Sequence, residues 1–344
     1  MKPTAAGFLS GVGSMLIGAK LAGFKVLYNI EDRKSMLPES FEMNFDGAKF
    51  YRSIEEAPKD KIDLLMGHPP CGNFSSMTNS TKKSIKDFAG RRKDPGKIPN
   101  FVEAVKIIKP RYFVMENLIK STQAFPFSEY QRNLANDYDL SINEIHNWDY
   151  GNSQKFKKRL FVIGSLKDEG YKFIPITTPK DGKTVRECIG DLPLSGDIPE
   201  INHEHVDPDE MAPFYWGVND DGSVKHKTYR EIRKIMLDMP PGKAPTYINR
   251  DGVEKFKIGM RRMYLDKHAF TQTGGSKGRS TPKIHPITGY PITVREKLRI
   301  QGAPDWFKIT GDPTEQNIQS GKFIAVEFCE YVAKQIYNHI TKES

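Results

Sequence analysis

The chain has 344 residues, of which 38% are hydrophobic and 28% charged, and it carries a formal net charge of +9 at pH 7. This length accommodates one large domain and a smaller one, and no apolar run approaches the ~20 residues of a membrane-spanning helix, so a membrane protein is not expected. Three widely spaced cysteines, Cys71, Cys188 and Cys329, argue against a disulfide framework and a CxxC zinc site, and no metal is expected.

Met1 to Ala5 offers too short an apolar stretch for a secretory signal, so a cytoplasmic protein is expected. The basic excess is weak support for a polyanionic partner. In chain order, Phe8-Leu9-Ser10-Gly11-Val12-Gly13-Ser14 leads into Met15 to Ala22 and then Gly23. That pattern predicts a strand, a glycine turn and a helix with a glycine C-cap. Lys25 to Ile30 reads as the next strand and ends at Glu31-Asp32. An acid about 20 residues after a glycine turn suits the ribose hydroxyls of a nucleoside, and the incomplete glycine fingerprint fits a mononucleoside better than a dinucleotide.

Ile62 to Met66 predicts a buried parallel strand, followed by Gly67-His68-Pro69-Pro70-Cys71-Gly72-Asn73-Phe74-Ser75. Two prolines can continue neither a ladder nor a helix, so they force a turn. Cys71 therefore sits on a corner at the carboxyl end of a strand, the edge where open α/β sheets bind ligands. A free cysteine often does no more than pack, yet this corner suits a nucleophile. Asn79 to Lys86 and Gly90 to Gly96 are polar and basic, either a solvated face or a phosphate contact. Tyr112 to Met115 predicts another strand, with Glu116-Asn117-Leu118 directly after it. Gln154 to Arg159 forms a basic run before the strand Leu160 to Gly164.

Residues 195–285 show weak periodicity and abundant Gly, Pro and charge. Asp197 to Asp221 is acidic, whereas Lys225 to Lys283 holds 15 Lys or Arg against 5 Asp or Glu. This asymmetry suits a second domain with one face on nucleic acid. Thr271 to Arg279 is either a groove-facing loop or a mobile tip, and Tyr215 and Trp216 are expected in the core of the small domain. Phe323 to Ile336 has helical apolar spacing.

The order of these blocks resembles the cytosine-C5 DNA methyltransferases over nearly the whole chain. Leu9-Ser10-Gly11-Val12-Gly13 is similar to the F-x-G-x-G loop, and Pro69-Pro70-Cys71 with Phe74-Ser75 to P-P-C-Q-x-F-S. Glu116-Asn117-Leu118 is similar to E-N-V, and Gln154 to Arg159 to Q-x-R-x-R. Thr184-Val185-Arg186-Glu187 with Ile189-Gly190-Asp191-Leu192, and Thr293-Val294-Arg295-Glu296 with Gln301-Gly302-Ala303-Pro304-Asp305, resemble the segments that flank the target-recognition region.

The resemblance implies an α/β fold, a doubly wound, mostly parallel S-adenosylmethionine methyltransferase sheet, with a smaller irregular target-recognition domain. It implies residues 1–194 as the catalytic domain, 195–285 as the recognition domain and 286–344 as a segment returning to the first. The expected reaction is transfer to cytosine C5 in DNA, double-stranded by expectation, through a covalent Cys71–C6 adduct on a flipped-out base. Glu116 would assist at N3 and Arg159 would reach O2 or a phosphate. Leu9, Gly11, Gly13, Glu31, Pro69 and Lys322 would bind S-adenosylmethionine. Ser75, Lys82, Lys83, Arg91, Arg92, Lys157, Lys277 and Arg279 would contact DNA. A monomer is expected, in a bacterial or phage-infected cell.

Several positions depart from the family pattern. His68 replaces Gly, Gly72 replaces Gln and Tyr290 replaces Arg, while the Q-x-R-x-R block is one residue out of step. Gly321-Lys322 stands where the family has G-N, beside the cofactor. Lys322 either points outward or pairs with an anionic donor, carboxy-S-adenosylmethionine, so that carboxymethyl is transferred. An RNA C5-methyltransferase and a silent DNA-binding homologue are the other readings.

Overall fold

The apolar runs of the first half of the chain build one sheet. A computed structural model describes residues 2–58, 60–72, 74, 94–194, 202–203, 214–256, 260–272 and 283–342. The strands are β1 (Thr4–Phe8), β2 (Lys25–Ile30), β3 (Lys49–Tyr51), β4 (Leu64–Gly67), β5 (Tyr112–Asn117), β6 (Tyr138–His146) and β7 (Lys158–Leu166). They lie in the order β3-β2-β1-β4-β5-β7-β6. The pairs β3–β2, β2–β1, β1–β4 and β4–β5 are parallel, and β7 runs antiparallel to both β5 and β6. β4 and β5 are buried along their whole length, which explains the apolar runs Leu64 to Met66 and Tyr112 to Met115. The strand order reverses at β1, so the β1 and β4 carboxyl ends border the crevice where such sheets bind ligands.

The helices are α1 (Ser14–Ala22), α2 (Pro38–Glu42), α3 (Ile98–Ile108), α4 (Phe127–Leu134), α5 (Val185–Ile189), α6 (Tyr229–Asp238), α7 (Val294–Ile300), α8 (Pro313–Ser320) and α9 (Val326–Lys342). Gly23 closes α1 as the C-cap glycine anticipated from the sequence, with φ 112°. Among the described residues no helix is long and apolar enough to cross a membrane.

The chain divides into two compact units. The first comprises residues 1–152, 156–181 and 323–344 and contains the large sheet. The second comprises residues 153–155 and 182–322, so it takes in segments on both sides of the expected 195–285 region. The reason is a shared core: Val185, Cys188, Ile189 and Leu192 bury against Met263, Ala269 and Ile300. Trp216 is buried with Ile232, Met236, Met260 and Ile284 in another small core. The antiparallel pairs β8 (Phe214–Val218) with β9 (Val224–Lys227) and β10 (Thr246–Ile248) with β11 (Glu254–Phe256) complete this unit. Capping boxes start α5 at Thr184, α6 at Thr228 and α7 at Thr293, each with Glu at the third helical position.

In the first unit α9 returns from the end of the chain and lies against α1. Gly18 permits that approach, because a Cβ there would stand 2.5 Å from the Cys329 carbonyl carbon and the Glu330 nitrogen. Backbone cannot yield as a side-chain tip would, so α1 and α9 would have to separate. Gly18→Ala is expected to destabilise the protein by about 1–3 kcal/mol, the usual cost of overpacking, measured as a lower urea midpoint. An unchanged midpoint would mean that the helices part without loss.

Candidate functional site

Four segments of the first unit converge at the carboxyl edge of the sheet: the loop after β1, the end of β2, the turn after β4, and β5 with its antiparallel neighbour β7. The loop after β1 turns through left-handed conformations at Leu9 (φ 55°), Gly11 (φ 63°) and Gly13 (φ 88°). Leu9 pays a steric cost that the glycines avoid, and it is held by its N–H donating to the Ile30 carbonyl at 2.7 Å. Asn29, buried in β2, donates from Nδ2 to the Gly11 carbonyl at 2.8 Å. The Gly11 N–H donates to Glu31 Oε2 at 2.9 Å. Glu31 is completely buried and forms an ion pair with Arg33. Ser10 carries a buried hydroxyl with no hydrogen-bond partner among the described residues. A buried acid, a spare hydroxyl and a glycine turn at a helix N-terminus are groups that suit the sugar of a nucleoside ligand, so these residues fit the expected S-adenosylmethionine.

The turn after β4 is pinned at both ends. Asn117 Nδ2 donates to the Pro69 carbonyl at 3.1 Å, and the Phe74 N–H donates to the Cys71 carbonyl at 3.0 Å. Phe74 buries into the same apolar cluster as Leu9, Phe101, Phe113 and Met115, and half-buried Cys71 packs against that cluster. Cys188 and Cys329 are buried, which leaves Cys71 as the cysteine that retains solvent contact. Gly67 lies opposite Met115 in the parallel ladder, so the turn bearing Cys71 and the end of β5 bearing Glu116 emerge side by side.

Glu116 is 3% exposed. Arg159 Nε lies 2.6 Å from its Oε1. That contact is a close ion pair. Burial pushes the Glu116 carboxyl up, and Arg159 and Lys157 oppose the rise without cancelling it. A carboxyl group so placed is suited to present a proton to a base nitrogen.

Lys157 and Arg159 lie two residues apart, on one face of the extended chain. Lys157 does not fit the expected contact with DNA phosphate. It is 2% exposed, and its Nζ donates to the Phe323 carbonyl at 3.2 Å. Burial first, and then Arg159, pushes its ammonium down to about 7, against the attraction of Glu116, Cys71 and Glu327. A strand end that reads as basic in sequence faces inward because the returning α9 segment covers it.

The uncertain register of the Gln154 block has a structural counterpart. Gln154 belongs to the second unit, where its buried Oε1 accepts the Gln272 N–H at 2.8 Å, whereas Phe156 onward belongs to the first. Pro69 is buried in the first unit, and Lys322 is exposed in the second. Ser75, Lys82, Lys83, Arg91, Arg92, Lys277 and Arg279 lie outside the described residues. Sequence reasoning missed Asn29, Arg33 and Arg52 around the glycine loop, and Glu327 and Cys329 from α9. Only Glu31-Asp32-Arg33, an acid and a cation two residues apart, offered a local signal.

Comparisons with known proteins bear on the family and the fold. The family model described as C-5 cytosine-specific DNA methylase matches residues 5–338. The type II methyltransferase M.XorII of Xanthomonas oryzae pv. oryzae is 23% identical, with 99% of this chain and 86% of that protein covered. M.MthTI, a type II methyltransferase of Methanothermobacter thermautotrophicus, is 25% identical, with 96% of each chain covered. Among solved structures, a protein encoded within an E. coli prophage and described as a DNA modification methyltransferase has a TM-score of 0.70. It is 20% identical, over 99% of this chain and 100% of that one. The Entamoeba histolytica methyltransferase EhMeth has a TM-score of 0.60 at 13% identity, with 99% of each chain covered.

Two outcomes follow for this site. Among the described residues a Cβ at Gly72 would meet nothing within 4 Å, so Gly72→Gln is expected to leave the melting temperature unchanged; a marked drop would reveal a hidden constraint on the turn. Lys157 releases its proton at about 7 in the fold and at 10.5 when unfolded. Between those values the unfolded chain holds the extra proton, so this group makes stability rise with pH across the window. Lys157→Met should flatten that rise, measured by urea unfolding at both ends of the window, and an equal slope in both proteins would contradict it.

Proposed function

The chain belongs to the C-5 cytosine-specific DNA methylase family and is a methyltransferase, and from that premise we propose that it methylates C5 of a flipped-out cytosine in double-stranded DNA. The observation that carries this reading is the adjacency of the Cys71 turn and the buried Glu116–Arg159 pair at the ends of β4 and β5.

Cytosine C5 is a poor nucleophile, and addition of the Cys71 thiolate to C6 makes C5 electron-rich. Glu116 hydrogen-bonds or protonates N3 as negative charge develops there, and its burial favours the protonated form this requires. Arg159 orients Glu116 and offers its remaining donors to the O2 side of the base. Once C5 carries the methyl group, water takes the C5 proton, the C5–C6 double bond re-forms, and Cys71 leaves as thiolate. S-adenosylmethionine supplies the electrophilic methyl group when bound, and Glu31, Gly11 and the loop from Leu9 to Gly13 hold its nucleoside. The base must leave the duplex to reach Cys71, since stacked cytosine shields C6. By analogy with type II methyltransferases such as M.XorII and M.MthTI, DNA modification is the biological role.

A finer reading rests on Lys322. Its exposed ammonium replaces the neutral Asn of the family pattern and would favour an anionic donor, carboxy-S-adenosylmethionine, with carboxymethyl as the group transferred.

Mass spectrometry of deoxynucleosides from DNA of cells expressing the protein tests both. 5-Methylcytosine that is absent with Cys71→Ala supports the main reading, and a heavier cytosine supports the finer one. No modified deoxycytidine would overturn both, and turn attention to RNA or to a silent DNA binder. In purified protein, Glu116→Gln is expected to lower kcat by about 10²–10⁴-fold, the usual share of general acid–base assistance. Unchanged turnover would remove Glu116 from the mechanism.

A further inference from the structure

Glu31 has no spare capacity. Its Oε1 accepts the Arg33 backbone N–H at 3.0 Å and Arg33 Nε at 2.8 Å. Its Oε2 accepts the Gly11 N–H at 2.9 Å and Arg33 Nη2 at 2.5 Å. A carboxylate offers about four lone-pair sites, so protein donors fill all of them. The two backbone donors are fixed by the turns that carry them. Arg52 strengthens this by donating from Nη1 to the carbonyls of Arg33, at 2.9 Å, and Glu31, at 3.2 Å.

The remaining two donors belong to one guanidinium. The Arg33 side chain is 18% exposed, whereas that of Glu31 is fully buried. Arg33 can therefore turn toward solvent while Glu31 stays. A ribose 2′,3′-diol brings two O–H donors, the same number that the guanidinium contributes through Nε and Nη2.

We propose that Arg33 is a latch on the cofactor site: the ribose diol of S-adenosylmethionine reaches Glu31 only by displacing the Arg33 guanidinium, so Arg33 sets the affinity for the cofactor. This deepens the proposed function and rests on its assignment of Glu31 to the ribose. The exchange breaks two charge-assisted bonds to Glu31 and the 3.5 Å bond from Arg33 Nη2 to the Leu9 carbonyl, and forms two bonds from neutral hydroxyls. Apparent affinity is then reduced by the fraction of molecules in which the latch stands open. Arg33 thereby acts on binding, through Glu31, and not on the chemical step.

Calorimetric titration of the full chain with S-adenosylhomocysteine, which carries the same ribose, tests the latch without any turnover. Arg33→Ala is expected to bind about tenfold tighter than the parent protein. Arg33→Lys keeps the charge but loses the planar fork, and is expected to fall between the two. Without ligand Arg33→Ala should melt lower, because it leaves a buried carboxylate without its cation, and yet gain more in melting temperature on saturation with ligand.

Glu31→Gln separates the two layers of the argument. Binding weakened in Glu31→Gln but tightened in Arg33→Ala supports site and latch together. Binding weakened in Glu31→Gln, with Arg33→Ala equal to or weaker than the parent, overturns the latch and keeps the ribose assignment. Binding unaffected by Glu31→Gln overturns both. If Arg33→Ala does not fold, Arg33→Lys carries the same test, and affinity no tighter than the parent refutes the latch.

Discussion

A carboxyl group taken out of water is costly unless something answers its charge, and Glu116 shows how this fold meets that cost. It stands at the end of β5, 3% exposed, with Arg159 from the antiparallel β7 at 2.6 Å. The pair requires β7 to run beside β5, with Asn117 opposite Leu160, so that Arg159 leaves its strand next to Glu116. It also fixes what surrounds it: Asn117, one residue on, holds the Pro69 carbonyl and so the turn that carries Cys71. One buried ion pair and one amide thus tie three strands at the edge where the chemistry is proposed.

The glycine loop solves a similar problem. Glu31 is buried beneath a turn whose backbone adopts left-handed conformations, and the N–H of Gly11 and the side chain of Arg33 satisfy it. Asn29 braces the glycine loop from β2, and Arg52, directly after β3, braces the turn that carries Glu31 and Arg33. Polar side chains in the protein interior here act as a scaffold for backbone, which is the commonest way such groups are satisfied. The Arg33 side chain keeps 18% of its surface in solvent, whereas the Glu31 carboxylate that it pairs with is fully buried.

Lys157 illustrates the difference between a basic residue in a list and one in a fold. In sequence it belongs to a run of cations before a strand. In the fold the start of α9 and the Phe323 carbonyl close over it, and its charge answers Glu116, Glu327 and Cys71. Its neighbours are drawn from β5, the turn after β4 and the last helix, segments far apart in the chain. Burial and Arg159 lower this ammonium to about 7, and the acidic groups that face it offset only part of that shift.

Much of the architecture was legible in local pattern. The apolar runs Leu64 to Met66 and Tyr112 to Met115 announced strands, the glycine after Ala22 announced the end of α1, and Pro69-Pro70 announced the turn that presents Cys71. These features depend on residues within one or two turns of each other, so one-dimensional order suffices for them. The placement of Lys157, the four-donor clamp on Glu31 and the approach of α9 to Gly18 were not legible. Lys157 and Gly18 meet partners far along the chain, and the clamp on Glu31, though Arg33 is its near neighbour, is completed by Gly11 from the preceding loop. The limits of the second unit were hidden for the same reason: α5 and α7 flank the variable region in sequence but share its core through Met263 and Ala269. Sequence alone marked the strands β1, β2, β4, β5 and β7, the glycine cap of α1 and the turn that carries Cys71. Tertiary structure decided which charges left water and which partners received them, because desolvation is a property of the assembled neighbourhood and not of the residue.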